Sequence, residues 1–128
     1  MERTGVIIVA GGSGSRAGGA RPKQFRFLDG MPVLARTINT FAAALPGAEI
    51  VAVLPEQHIG FWKNLSARFD VAEHKIAAGG AERFHSVRNG LAALTSDPGL
   101  IAVQDGVRPL VVRSPDFSRL SRFTPHLS

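Results

Sequence analysis

Two rhythms of apolar and polar positions alternate along this 128-residue chain. Gly5–Ala10 is almost wholly apolar, the pattern of a strand covered on both faces. Residues 11–30 show no apolar period and read as a long loop. From Met31 to Leu45 the rhythm becomes helical, with Leu34, Ile38, Phe41 and Leu45 on one stripe and Pro46-Gly47 as the stop. Glu49–Leu54 reads as a second strand. Pro55 opens a helix to about Phe69 that carries Ile59, Trp62 and Leu65. His74–Ala78 is a short strand ending at Gly79-Gly80. Glu82–Thr95 is a helix with Val87, Leu91 and Leu94 at helical spacing. Leu100–Val103 is a fourth strand, ending at Gln104-Asp105.

Four strands separated by three helices predict an α/β fold: a Rossmann-like, doubly wound, mostly parallel sheet with helices on both faces. Ligands of such sheets sit outside the carboxyl ends of the strands. The loops after the first, third and fourth strands are Gly-Gly-Ser-Gly, Gly-Gly-Ala-Glu-Arg and Asp-Gly-Val-Arg-Pro, and all three fall on that edge. Residues 1–112 form the expected nucleotide-binding domain, with 113–128 as an atypical C-terminal tail. In the tail, Ser114-Pro115-Asp116 has the chemistry of a helix cap, and Phe117, Leu120 and Phe123 lie among Ser and Arg. On this reading the outer edge of the fourth strand stays bare.

A chain 45% hydrophobic and 20% charged is that of a soluble globular protein. No apolar run approaches the roughly 20 residues that span a bilayer, so no membrane partner is expected. Met1-Glu2-Arg3-Thr4-Gly5 leads into an apolar run too short for a signal peptide. With no cysteine, disulfide frameworks and thiolate metal sites are excluded, and the cytoplasm is the expected location. The net charge of +5 raises nucleic-acid binding as an alternative. The basic residues are scattered, however, and no aromatic ladder accompanies them, so no nucleic-acid partner is expected. Arg16, Arg21, Lys23, Arg83 and Arg108 instead flank glycine-rich or strand-end segments.

The chemistry concentrates in four blocks. In the first, the strand runs directly into Gly11-Gly12-Ser13-Gly14-Ser15-Arg16, whose glycines let backbone N–H groups approach an anion closely. No Gly-Lys-Ser/Thr follows, so this is not a P-loop. Arg16 is suited to bidentate contact with phosphate oxygens. In the second, Pro22 of Arg21-Pro22-Lys23-Gln24-Phe25 rigidifies the segment that presents Lys23, whose ammonium can stabilise charge on an α-phosphate. The third block, Gly79 to Gly90, repeats the glycine pair, and Ser86, one turn into the helix, can bond a base or a ribose. His85 is given no role, and His58 and His74 lack partners at metal-ligand spacing. In the fourth, Asp105 at a strand end can hold Mg²⁺ or a sugar hydroxyl, and Arg108 can orient that acid or meet an anionic substrate.

In this order the blocks resemble the nucleotide-diphospho-sugar transferase superfamily, and within it the 2-C-methyl-D-erythritol 4-phosphate cytidylyltransferase family. Ala10–Arg16 with Pro22-Lys23-Gln24-Phe25 is similar to the first signature of that family. Glu82-Arg83, Ser86-Val87 and Asn89-Gly90-Leu91 are similar to the second, and Asp105 with Arg108-Pro109 to the third. The resemblance covers about residues 5–112. It implies an enzyme that transfers CMP from CTP to 2-C-methyl-D-erythritol 4-phosphate, releases pyrophosphate and uses Mg²⁺. It implies that Arg16 and Lys23 are catalytic. Ala10, Gly11, Gly12, Gly14, Gly79, Gly80, Arg83 and Ser86 would bind CTP. Asp105 and Arg108 would lie near the acceptor, with Asp105 on the metal. Ala17, Gln104 and Gly106-Val107 depart from the residues usual in the family. The resemblance also implies that family members continue past this chain into a dimerisation arm, making a homodimer the full-length expectation. Ribitol-5-phosphate cytidylyltransferase, which shares Pro-Lys-Gln-Phe and Asp-x-x-Arg-Pro, is the near alternative. A nucleotide-binding fragment without turnover is the other.

Overall fold

A computed structural model describes residues 4–10, 25–95, 100–104 and 109–113 of the chain. Strand β1 (Thr4–Val9) lies at the centre of a five-stranded sheet ordered β5-β4-β1-β6-β7. It pairs in parallel with β4 (Glu49–Leu54) from Gly5↔Glu49 to Val9↔Val53, and with β6 (Leu100–Gln104) from Thr4↔Leu100 to Ile8↔Gln104. Beyond β4 lies β5 (Lys75–Ala78), also parallel. An unbroken apolar strand tolerates this interior place because neither face meets water.

Alternate residues of these strands feed two cores. Val6, Ile8 and Ala10 join Ile50, Ala52 and Leu54 under helices α1 (Val33–Ala44) and α2 (Glu56–Ser66), which contribute Leu34, Ala35, Ile38, Trp62 and Leu65. Ile7, Val51, Val53, Ile101 and Val103 face the opposite side, where α3 (Arg83–Ala92) contributes Val87. The sheet is therefore covered on both faces, as expected from the sequence.

Gly90 sets how closely α3 can approach. A Cβ added there would lie 2.7 Å from Ile7 Cγ2 and 2.9 Å from Val53 Cγ2. Both neighbours are β-branched and fully buried, so neither can turn away. The helix thus lies against the central strands at a distance that only glycine permits.

The structure corrects the sequence reading at four places. The loop assigned to residues 11–30 ends in a hairpin: β2 (Phe27–Leu28) pairs antiparallel with β3 (Met31–Pro32). Asp29 and Gly30, at φ 54° and 83°, make its two-residue turn, and both must occupy the left-handed region. Helix α1 consequently starts at Val33 rather than Met31. Helices α2 and α3 end at Ser66 and Ala92, short of Phe69 and Thr95, and each closes in tighter turns such as Arg68 N–H to Leu65 O at 3.0 Å and Ala93 N–H to Gly90 O at 3.1 Å. Finally, the outer edge of β6 is not bare. Strand β7 (Pro109–Arg113) pairs with it antiparallel, from Leu100↔Arg113 to Gln104↔Pro109. Proline is tolerated in first place on an edge strand, where its missing N–H costs little.

At the amino end of the sheet a polar knot fastens α3. Lys75 Nζ lies 2.7 Å from Glu49 Oε2 and donates to Ala93 O at 3.0 Å. The Thr95 N–H and hydroxyl both donate to Glu49 Oε2 at 2.9 Å. Partial burial is the largest single influence on the Glu49 carboxyl and acts to raise its pKa. The hydrogen bonds from Lys75 and Thr95 together outweigh it and hold the net value below the usual carboxylate range.

A depressed folded-state pKa contributes stability above the unfolded value and loses it as pH falls through the folded one. The wild type should therefore exceed Glu49→Gln in stability by about 1 kcal/mol at neutral pH. That margin should shrink below about pH 4.3, the unfolded carboxyl value. Urea midpoints read from Trp62 emission across pH 3–7 check this; a pH-independent margin contradicts it. Gly90→Val should lower stability by about 2–3 kcal/mol through overpacking, measured in the same way.

Candidate functional site

Parallel pairing brings the carboxyl ends of β1, β4, β5 and β6 to one edge of the sheet. Ala10, immediately after β1, is buried, and its N–H donates to Val53 O at 2.9 Å. Gly79, immediately after β5, donates its N–H to Leu54 O at 2.7 Å. Both bonds extend the ladders one step past the strand ends, so the two loops leave the sheet from opposite sides of β4. Two strand spacings separate them, roughly 10 Å. On the other flank, β6 ends at Gln104 opposite Ile8, and Asp105 is the next residue in the chain.

The loop from β5 to α3 is drawn tightly against the first turns of the helix. The Ser86 hydroxyl, with its residue only 8% exposed, accepts the Gly80 N–H at 3.1 Å. A hydroxyl that accepts one bond keeps its own hydrogen for another partner. Asn89 donates through Nδ2 to Ala78 O at 2.9 Å, fixing the last carbonyl of β5. A Cβ on Gly80 would fall 2.2 Å from His85 Cβ, and one on Gly79 would meet Ser86 Oγ at 3.0 Å. The glycine pair is thus required by the helix packed behind it as well as by whatever approaches in front. Arg83 opens α3, and Glu82 before it is extended and makes no side-chain cap bond. The helix start, with its partial positive charge, therefore lies at the carboxyl edge.

Of the residues singled out from the sequence, Ala10, Gly79, Gly80, Arg83 and Ser86 are described, and all lie at or beside this edge. Gly11, Gly12, Gly14, Arg16, Lys23, Asp105 and Arg108 fall outside the described residues. Their described neighbours Ala10, Phe25, Gln104 and Pro109 mark where those segments leave and re-enter the fold. Among the described residues no three His, Asp or Glu side chains cluster as metal ligands. His74 has a structural partner instead: it accepts the Trp62 Nε1–H at 3.1 Å and donates through Nδ1 to Ala72 O at 2.8 Å.

Sequence reasoning gives Asn89 no task and Gly90 no packing role. The available signal is an Asn-Gly pair in the middle of a helix, two poor helix formers whose presence calls for a tertiary reason. Ser86→Ala should leave the Gly80 N–H unpaired, costing about 1 kcal/mol. Amide exchange at Gly80 should quicken while exchange in β1 tracks only the global change; unchanged exchange at Gly80 contradicts the assigned bond.

Comparisons with known proteins bear on the family and the fold. The family model described as IspD, 2-C-methyl-D-erythritol 4-phosphate cytidylyltransferase, matches residues 4–124. The enzyme of that name from Phocaeicola vulgatus is 51% identical over 109 residues, covering 84% of this chain and 49% of the relative. Its counterpart from Carboxydothermus hydrogenoformans is 43% identical over 109 residues, covering 85% and 47%. The chain thus spans about half the length of the curated relatives it matches. In fold it is similar to the 4-diphosphocytidyl-2C-methyl-D-erythritol synthase of Anaerococcus prevotii, with TM-score 0.60, 24% identity, and coverage of 92% of this chain and 48% of that one. It is similar also to the bifunctional IspDF of Campylobacter jejuni, with TM-score 0.63, 23% identity, and coverage of 96% and 30%.

Proposed function

The chain belongs to the 2-C-methyl-D-erythritol 4-phosphate cytidylyltransferase family, and from that premise we propose that its carboxyl edge binds CTP for transfer of CMP to methylerythritol phosphate. The observation that carries the reading is that Ala10, which leads in sequence into the glycine-rich segment, and the Gly79-Gly80 loop locked to α3 lie at the same edge of the sheet. Between Ala10 and Gly79 a nucleoside would lie across the end of β4. Ala10, Gly11, Gly12, Gly79, Gly80 and Ser86 would hold the base and ribose, with Arg83 among the CTP-binding residues, and Gly14 would shape the phosphate loop.

The reaction is an in-line displacement. An oxygen of the acceptor's phosphate attacks the α-phosphorus of CTP. That bond forms as the bond to the β-phosphate oxygen breaks, and pyrophosphate leaves. No covalent intermediate on the protein is required, so catalysis rests on positioning and on fixed positive charge. In this scheme Arg16 and Lys23 neutralise the charge that builds on the phosphates. Asp105 and Arg108 stand at the acceptor side, just past β6.

The proposed reaction would use magnesium. It takes few protein ligands when a substrate triphosphate supplies oxygens. The ion would rest mainly on CTP, with Asp105 as the protein carboxylate. Bound there, it would neutralise phosphate charge. The substrates are small water-soluble phosphates, which suits a cytoplasmic enzyme.

Calorimetric titration of CTP, with ATP, UTP and GTP as controls, tests the reading in the presence of Mg²⁺. CTP should bind selectively. Arg16→Ala and Lys23→Ala should each weaken it by about 1.5–3 kcal/mol, the range for charge-assisted bonds. A cooperatively folded protein that does not distinguish CTP from the other nucleotides overturns it.

A further inference from the structure

Asn89 lies three residues beyond Ser86 in α3, so the two side chains share one face of the helix. Both bond the loop that follows β5. Asn89 donates through Nδ2 to Ala78 O at 2.9 Å, and Ser86 Oγ accepts the Gly80 N–H at 3.1 Å. The Ala78–Gly79 peptide unit is thereby gripped at both ends. Its N–H donates to Leu54 O at 2.7 Å, toward β4. In a trans unit the carbonyl points the opposite way. Ala78 O therefore faces the outer side of β5, the last strand at that end of the sheet among the described residues, where no strand pairs with it. Asn89 supplies the missing partner. Ser86 orients the next unit: with the Gly80 N–H directed at its hydroxyl, Gly79 O points away from it. Gly79 is half-buried and Gly80 exposed, so these two oriented units open on the carboxyl edge.

We propose that Asn89 is a positioning residue for base selection: it holds the Ala78–Gly79 unit so that the polar groups of the Gly79-Gly80 loop meet a pyrimidine in one arrangement. The inference rests on the CTP reading above. Cytosine and uracil share a shape and differ along one edge. Cytosine offers an amine and a ring acceptor there, and uracil a carbonyl and a ring N–H. Donors and acceptors at fixed positions separate the two, because the wrong base leaves a polar group unpaired. Freed from Asn89, the Ala78–Gly79 unit keeps only its bond to Leu54. It can then tilt about that bond and carry the Gly79 carbonyl with it.

The test compares CTP and UTP binding by calorimetry in Asn89→Ala and Asn89→Asp, together with amide exchange at Gly79. Alanine is the better helix former, so Asn89→Ala regains in helix propensity much of what the lost bond costs, and the fold is expected to survive. Asn89→Asp keeps the side-chain shape and replaces the donor with a carboxylate oxygen. Glu49→Gln, which loosens the chain just past the far end of α3, is the structural control. Both Asn89 variants should lower the preference for CTP over UTP by about fivefold, the factor that one neutral hydrogen bond is worth, and exchange at Gly79 should quicken by a similar factor. Glu49→Gln should keep the wild-type preference, whatever it costs in stability. If one Asn89 variant does not fold, the other carries the test. Failure of both to fold rejects the proposal, because the fold and not the base then requires the residue. An unchanged preference in a folded Asn89 variant overturns it, as does an equal loss in Glu49→Gln. If the wild type does not prefer CTP to UTP, the functional reading falls. Exchange at Gly79 alone then decides: faster in the Asn89 variants supports the positioning role, and equal to wild type rejects it.

Discussion

The structure depends on the burial of β1 from every side. It is hydrogen-bonded to parallel neighbours on both edges and covered by helices on both faces, so Val6, Ile7 and Ile8 see no water. Each such side chain contributes roughly 1.5–3 kcal/mol of burial. Register follows directly. A slip of one residue would exchange Ile7 and Ile8 between cores already filled by different helices. Because β4 and β6 must run parallel to β1, their carboxyl ends share its edge, and the residues that follow them inherit that location. The site's place in the molecule is therefore a consequence of core packing rather than of the site residues themselves.

Helix α3 carries this order from the core to the β5–α3 loop. The chain just past its far end is tied to the amino edge through Glu49 and Thr95, and its last turn sits against Ile7 and Val53 because Gly90 has no side chain. Its near end holds Gly80 and Ala78 through Ser86 and Asn89. Asn and Gly in mid-helix cost roughly 0.5–1 kcal/mol each in helix propensity. Here tertiary contacts offset that cost, and the helix is fixed at three heights over the sheet. A loop braced by such a helix can present N–H groups to a ligand in one arrangement.

What the sequence disclosed follows how local each cause is. Strands β1, β4 and β6 are legible to within a residue because burial on both faces writes an unbroken apolar run. The glycine pair at 79–80 is legible as a close-approach site. That Leu54 O and His85 stand behind it is not: the sheet alone brings Leu54 there, and the tight fold of the loop onto the first turn of α3 brings His85. Two-residue strands carry no measurable period, so β2 and β3 disappear into the loop. The Asp29-Gly30 pair between Phe27-Leu28 and Met31-Pro32 is nonetheless the strongest short-range hairpin signal. Strand β7 is masked by its own start. Arg108-Pro109 reads as part of a strand-end motif, which draws attention away from the apolar Leu110-Val111-Val112 behind it. Helix ends are overestimated because Phe69 and Leu94 continue an apolar stripe past the last helical turn, packing on the core from non-helical backbone.

The two sides of the candidate site are therefore held by different physics. On the α3 side the constraints are hydrogen bonds and missing side chains, which act over tenths of an ångström and tolerate no extra atom. On the α2 side the constraint is apolar ring contact around Phe25, which depends on area and shape and accepts other rings of similar size. This division matches the tasks that the proposed reaction sets. Distinguishing one base from another needs donors and acceptors at fixed positions, because a misplaced polar group loses its bond outright. Neutralising a triphosphate needs positive charge brought near, and charge acts over longer distances than hydrogen-bond geometry. The β5–α3 half of the edge is thus built on a helix packed against the central strands.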